Sequence, residues 1–100
     1  MKREEHLLTI LIEECAEVQQ RATKALRFGM NEIQPDQPFT NEDRLFQEVC
    51  DLKAIIEMLG LNDDFEYYAI ERKKEKVEKY LNYSKQCGTL NEDDDETKTN

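Results

Sequence analysis

The chain has 100 residues, the size of one domain, and a formal net charge of −9. This acidic balance argues against a general nucleic-acid binder, because that function requires a basic face. No apolar run approaches the roughly 18 residues of a membrane-spanning helix, and residues 1–6 lack the apolar region of a usual signal peptide. We therefore expect a soluble, cytoplasmic protein.

The composition favours helices. Glycine and proline, which interrupt helices, occur only 3 and 2 times, while charged residues make up 37% of the chain. The sequence predicts an all-α fold, a helical bundle of three main helices over residues 1–90, with an acidic, disordered tail over residues 91–100. Because the apolar stripes of these helices are thin, we expect a homodimer or homotetramer to complete the core.

The first helix is predicted from about Glu4 to Phe28. Its apolar residues recur at spacings of three and four, as on one face of an α-helix: Leu8, Leu11, Cys15, Val18, Ala22 and Ala25. Gly29 is a suitable stop for this helix, because glycine readily adopts the backbone conformation that ends one.

The next segment, residues 31–40, has two prolines and no apolar period, which predicts a loop. Thr40 or Asn41 would cap the second helix, expected over about residues 42–59 with a stop at Gly60.

The third helix is predicted from a cap at Asn62 to about Gln86, ending near Gly88. Its apolar stripe is interrupted between Ile70 and Val77 by basic residues.

The three cysteines have no short CxxC spacing. Cys15 and Cys50 fall inside apolar helical stretches, so we expect them to be small buried thiols in a reducing compartment.

Two pairs of acidic residues stand out. Glu14 and Glu17 lie three residues apart in the first helix, and Glu48 and Asp51 do so in the second, so each pair shares one helix face. Both pairs lie on or beside the apolar stripe, where carboxylates are costly unless they are paired or bound to a cation. Two facing pairs would form an oxygen-rich site for Mg²⁺. The alternative is that all four acids belong to solvated helix faces in a Glu-rich chain.

Residues 13–17 (EECAE) and 48–52 (EVCDL) resemble the EExxE and ExxD motifs of the all-α nucleoside triphosphate pyrophosphohydrolases. This is the MazG-like superfamily, which includes dimeric dUTPases and phosphoribosyl-ATP pyrophosphohydrolases. The resemblance covers about residues 5–60. The short chain is similar to the small members of the superfamily from phages and bacteria. It implies cleavage of a nucleoside triphosphate between its α and β phosphates, giving the monophosphate and pyrophosphate, with Mg²⁺ as cofactor and Mn²⁺ as a substitute.

The resemblance also implies roles for individual residues. The positions that match the metal ligands of the superfamily are Glu14, Glu17, Glu48 and Asp51. Glu13 matches the leading glutamate of EExxE and is expected to orient or deprotonate the attacking water, which makes Glu13 and Glu14 the catalytic candidates.

Four basic residues are candidates for contacting the substrate phosphates: Lys24, Arg27, Lys73 and Lys76. Each has a simpler interpretation. Lys24 and Arg27 suit the negative end of the helix dipole, and the two later lysines have glutamates at helical spacing with which to pair. For Arg21, an ion pair with Glu17 is favoured over a phosphate contact.

The sequence therefore predicts a Mg²⁺-dependent nucleoside triphosphate pyrophosphohydrolase. The alternative function, from a different class, is a non-catalytic helical module for protein interaction or regulation, whose acids and lysines contact a partner protein.

Overall fold

The computed structural model describes residues 1–91, and this part of the chain is all-helical, without a β-strand. The three helices are α1 (Arg3–Phe28), α2 (Asn41–Met58) and α3 (Glu66–Cys87). The all-α class with three helices is therefore confirmed. The predicted acidic tail lies outside the described residues, apart from Asn91 at its start. None of these three helices is long and apolar enough to cross a lipid bilayer.

The chain divides into two compact units. The first, Met1–Asn62, holds α1 and α2, which pack against each other, and the second begins at Asp63 and holds α3. The predicted helical domain, residues 1–90, spans both units.

The ends of α1 follow local chemistry. At its start the Lys2 backbone N–H donates to the Glu5 carboxylate over 2.7 Å, which satisfies one of the free amides of the first turn. At its end Gly29 has φ 102°, a conformation that a side chain would strain, and its N–H donates to the Ala25 carbonyl. The predicted stop at Gly29 is confirmed.

Thr40 caps α2, as its position predicts. Its Oγ1 accepts a hydrogen bond from the Asp43 backbone N–H at 3.1 Å, and its backbone forms an isolated antiparallel bridge with Ile33. The bridge closes the proline-containing loop between the two helices.

Hydrogen bonds from Asn41 hold this loop against the end of α1. The Asn41 side chain is only 2% exposed, and Nδ2 donates to the Gly29 carbonyl and to Glu32 Oε1, both at 2.8 Å. The Asn41 backbone N–H also donates to the Glu32 carbonyl at 3.0 Å. These bonds hold the first turn of α2 beside the last turn of α1, so they help to set how the two helices face each other.

Replacing Asn41 by alanine should destabilise the first unit by about 1–3 kcal/mol, because the buried Asn41 side chain loses its two hydrogen bonds, to the Gly29 carbonyl and to Glu32 Oε1. The urea unfolding midpoint would measure the loss. Asn31→Ala, an exposed asparagine of the same loop, is the matched control and should change stability by less than about 0.5 kcal/mol. Equal losses in the two variants would contradict this role of Asn41 in holding the loop.

The start of α3 differs from the prediction. The helix begins at Glu66 rather than just after Asn62, because Asp63 Oδ1 accepts from the Phe65 N–H at 2.8 Å and holds a turn before the helix. Its end at Cys87, followed by Gly88 at φ 83°, agrees with the prediction. No residue of α3 is buried.

Among the described residues, Leu7 and Ala25 are the only apolar side chains that are buried. Cys15 and Cys50 are free and exposed, so the prediction of buried thiols is wrong. The physical reason is that the apolar stripe of a helix is wider than the strip covered by one neighbour. Residues at the edge of the stripe, such as Leu8 and Ile12 of α1, stay exposed as well.

Candidate metal centre

The candidate site lies between α1 and α2, within the first unit. Glu14, Glu17 and Arg21 are spaced by three and four residues along α1, and therefore share a face of that helix. Glu48 and Asp51 share a face of α2 by the same spacing.

Three carboxylates meet here. Oxygen atoms of Glu14, Glu48 and Asp51 all lie within 4.8 Å of one another. Opposite ligands of an octahedral Mg²⁺ lie about 4.2 Å apart, since each Mg–O bond is about 2.1 Å. Adjacent ligands lie about 3.0 Å apart, so the three side chains would have to close in on one another to share one ion. Glu14 and Glu48 are half-buried and Asp51 is exposed, which leaves one side of the cluster open.

One carboxylate oxygen of Glu14 lacks a hydrogen-bond partner at this site. Glu14 Oε1 is buried and has no hydrogen-bond partner among the described residues. A buried acceptor without a donor costs about 1–3 kcal/mol, and more when it is charged. A cation beside Glu14 would remove this cost, so the donor set fits a hard divalent metal.

The electrostatics of Glu48 show how closely the acids lie. Its pKa is raised above the ordinary value of 4.5, first by burial and then by the negative charges of Glu17, Asp51 and Glu14. Arg21 acts in the opposite direction. Glu17 is not one of the three clustered ligands, but its effect on Glu48 places it as a fourth acid near the cluster.

The raised pKa of Glu48 predicts a pH dependence in the metal-free protein. The folded state binds the Glu48 proton more tightly than the unfolded state, so this contribution to stability is full below about pH 4.5 and is lost as pH rises through the raised pKa. Glu48→Gln cannot ionise, so its stability relative to that of the wild type should increase as pH rises from about 4.5 through the raised pKa of Glu48. Thermal unfolding of both proteins in EDTA would measure this, and a difference that stays constant with pH would contradict it.

Glu13 lies outside the cluster. It is an exposed residue of α1 and directly precedes Glu14, which places it about 100° around the helix from Glu14. Its role as a base remains a prediction.

Arg21 departs from its expected role. The predicted ion pair with Glu17 is not formed, and Arg21 makes no ion pair within 4 Å of any acid that the structure describes. The side chain is 8% exposed, and its Nη1 is buried without a hydrogen-bond partner. The spacing from Glu14, seven residues and two helical turns, was the available sequence signal that Arg21 belongs to the same face.

Lys24 and Arg27 lie together at the end of α1. They line a cavity of about 350 Å³ whose other walls are Phe28, Glu32, Gln34 and Pro35. The Arg27 guanidinium carbon lies 4.8 Å from the centre of the Phe28 ring, a cation–π contact.

Two walls of this cavity are held from α2, a feature that the sequence did not reveal. Glu32 Oε1 accepts from Asn41 Nδ2, and Gln34 Oε1 accepts from Arg44 Nη1 at 3.0 Å. The cavity is therefore a formed surface with both apolar and basic walls.

Lys73 and Lys76 belong to α3, in the second unit. Both are exposed. Three glutamates could pair with these lysines at helical spacing, Glu71, Glu75 and Glu78, and of these Glu71 instead pairs with Lys74 at 3.1 Å. The contact of Lys73 and Lys76 with phosphate remains a prediction.

The first unit thus combines a carboxylate cluster suited to a hard cation with a buried guanidinium and a basic cavity on the same helix. Oxygen ligands select Mg²⁺ or Mn²⁺ over softer metals. No protein-family model, curated protein or solved structure matches this chain.

Proposed function

We propose that this protein is a Mg²⁺-dependent nucleoside triphosphate pyrophosphohydrolase of the MazG-like kind, converting a (d)NTP to the monophosphate and pyrophosphate. The observation that carries the proposal is the approach of Glu14, Glu48 and Asp51 oxygens within 4.8 Å of one another, with Glu14 Oε1 buried and unpartnered. The four acids predicted as ligands, with Glu17 as the fourth, would hold Mg²⁺ or, in its place, Mn²⁺.

When bound, the metal would neutralise phosphate charge and polarise the phosphoryl oxygens. The chain supplies the remaining parts. Glu13 or Glu14 accepts a proton from water as the water oxygen forms a bond to phosphorus. The bond between the α and β phosphates breaks, and the bridging oxygen leaves on one of the two products. The cations predicted to offset the triphosphate charge are Lys24, Arg27, Lys73 and Lys76.

A panel of ribo- and deoxyribonucleoside triphosphates, incubated with the protein and Mg²⁺, tests the proposal. We expect pyrophosphate and the nucleoside monophosphate in equal amounts from at least one substrate, and none after addition of EDTA. Chromatography separates this result from orthophosphate release, which would identify a different hydrolase. Absence of any product with Mg²⁺ and with Mn²⁺ would contradict the proposal.

We also propose that copies of the chain associate as a homodimer or homotetramer. The described residues bury only Leu7 and Ala25 among their apolar side chains, too little for a stable core, while Leu8, Ile12 and Phe46 of the first unit are exposed. We expect sedimentation analysis to give a mass of two or four chains. The unfolding temperature should rise with protein concentration, because folding is coupled to association. A concentration-independent monomer would contradict this proposal.

The three free, exposed cysteines suit a reducing compartment, in keeping with the expected cytoplasmic location.

The second candidate function is a protein-interaction module, favoured by the exposed aromatic residues of the second unit: Phe65, Tyr67, Tyr68, Tyr80 and Tyr83. Such a module would show no turnover with any nucleotide and no stabilisation by metal.

A further inference from the structure

Arg21 is the most buried charged side chain that the structure describes, at 8% exposure, and Nη1 has no hydrogen-bond partner. Arginine cannot release its proton in a protein, so the charge persists. A buried charge without a partner is strongly unfavourable. The folded chain therefore holds a guanidinium for which its own described residues provide no hydrogen-bond acceptor.

The position of this guanidinium ties it to the carboxylate cluster. Arg21 lies two helical turns beyond Glu14 on the same face of α1. It also lies close enough to Glu48 to oppose the rise in the pKa of that residue. Arg21 is thus at the edge of the cluster rather than at a separate place in the fold.

The carboxylates provide no hydrogen bond to Arg21, although the charge of Arg21 acts on Glu48. Glu14 Oε1 is itself buried without a partner, so the site contains an unpaired acceptor and an unpaired donor together. A divalent cation would satisfy Glu14 but would repel the guanidinium. An anion that contacts both the cation and Arg21 would satisfy the whole site. A phosphoryl group has this chemistry, because its oxygens match the fork of N–H donors on arginine.

We infer that Arg21 donates hydrogen bonds to a phosphoryl oxygen of the ligand held at Glu14, Glu48 and Asp51. Arg21 is then a substrate-binding residue for phosphorylated ligands. The inference rests on the proposed function, since it takes the cluster to be the metal and substrate site.

Calorimetric titration with inorganic pyrophosphate in the presence of Mg²⁺ tests the inference without requiring turnover. Arg21→Met keeps most of the apolar stem and removes the charge, and we expect it to weaken pyrophosphate binding about tenfold to a hundredfold. Arg21→Lys keeps the charge but loses the fork, and should give a smaller loss. Lys53→Met, which removes an exposed charge from α2, is the matched control and should bind as the wild type does.

Titration with Mg²⁺ alone distinguishes two roles of Arg21: binding a phosphoryl group, and only offsetting the negative charge of the carboxylates. If Arg21 only offsets the carboxylates, Arg21→Met will bind Mg²⁺ more tightly and pyrophosphate as well as before, which would overturn the inference. If Arg21→Met does not fold, as shown by circular dichroism, Arg21→Lys decides: pyrophosphate affinity equal to that of the wild type overturns the inference.

The outcomes also separate the inference from the proposed function. Pyrophosphate binding that depends on Arg21, in a protein that hydrolyses no nucleotide, would support the inference and refute the enzyme. Hydrolysis with KM and pyrophosphate affinity unchanged in both Arg21 variants would support the enzyme and refute the inference. A wild-type protein that binds no pyrophosphate would refute the inference outright.

Discussion

Glu48→Gln should lower the rate of Mg²⁺-dependent pyrophosphate release by at least about tenfold. The substitution keeps the shape of the side chain but removes one of the three carboxylates that lie within 4.8 Å of one another. Losing even a residue that orients a metal ligand typically costs 10–100-fold, so losing a ligand should cost at least about that much. Initial rates with the best nucleotide of the panel, at saturating Mg²⁺, would measure the effect.

Glu57→Gln is the matched control for this prediction. Glu57 is an exposed glutamate of α2, nine residues beyond Glu48 and therefore about 180° around the helix. It should retain the wild-type rate. Unfolding would not explain a lower rate in Glu48→Gln. The substitution removes repulsion between the clustered carboxylates, so the metal-free variant should be at least as stable as the metal-free wild type. A Glu48→Gln variant with more than about a tenth of the wild-type rate would contradict the assigned site.

Mg²⁺ should raise the unfolding temperature of the wild-type protein by about 10–20 °C when its concentration is 100 times the dissociation constant. Binding at that level stabilises the folded state by about 2.7 kcal/mol, and each kcal/mol raises the midpoint of a domain of this size by about 4–8 °C. The ion relieves both the buried Glu14 oxygen and the repulsion at Glu48. Thermal scans with Mg²⁺, followed by EDTA, would measure the shift and its reversal.

The same scans on variants locate the ion. Glu14→Gln should lose most of the shift, while Glu57→Gln should keep it. No shift in the wild type with either Mg²⁺ or Mn²⁺ would show that the carboxylates do not form a metal site. A full shift in Glu14→Gln would place the metal elsewhere.

Local signals predicted much of the fold. Thr40 as a cap and Gly29 and Gly88 as stops depend on residues within a few positions, and all three agree with the structure. The start of α3 is the exception. An asparagine followed by two aspartates offers several competing caps, and the side chain of Asp63 caps a turn instead of the helix.

Features that depend on contact between helices were harder to predict. The spacing of Glu14 and Glu17, or of Glu48 and Asp51, places each pair on one face but does not show that the faces meet. The hydrogen bonds from Asn41 to Gly29 and Glu32, which lie twelve and nine residues away, help to set how the two faces meet. A sequence pattern carries no direct sign of such bonds.

Arg21 and Cys15 show the same limit. Spacing favours a pair between Arg21 and Glu17, because residues four apart can touch on any helix. In the folded chain the guanidinium is instead buried without an ion-pair partner, which helical spacing alone does not show. For Cys15, periodicity identifies an apolar stripe but not which part of that stripe a neighbour covers.

The two exposed thiols of the first unit give this protein natural attachment points for spectroscopic probes. Cys15 directly follows Glu14, and Cys50 directly precedes Asp51, so each thiol lies about 100° around its helix from a candidate ligand. After Cys87 is replaced by serine, spin labels on these two positions would report the separation of α1 and α2 by pulsed electron resonance, and a change in that separation on titration would follow the helices directly.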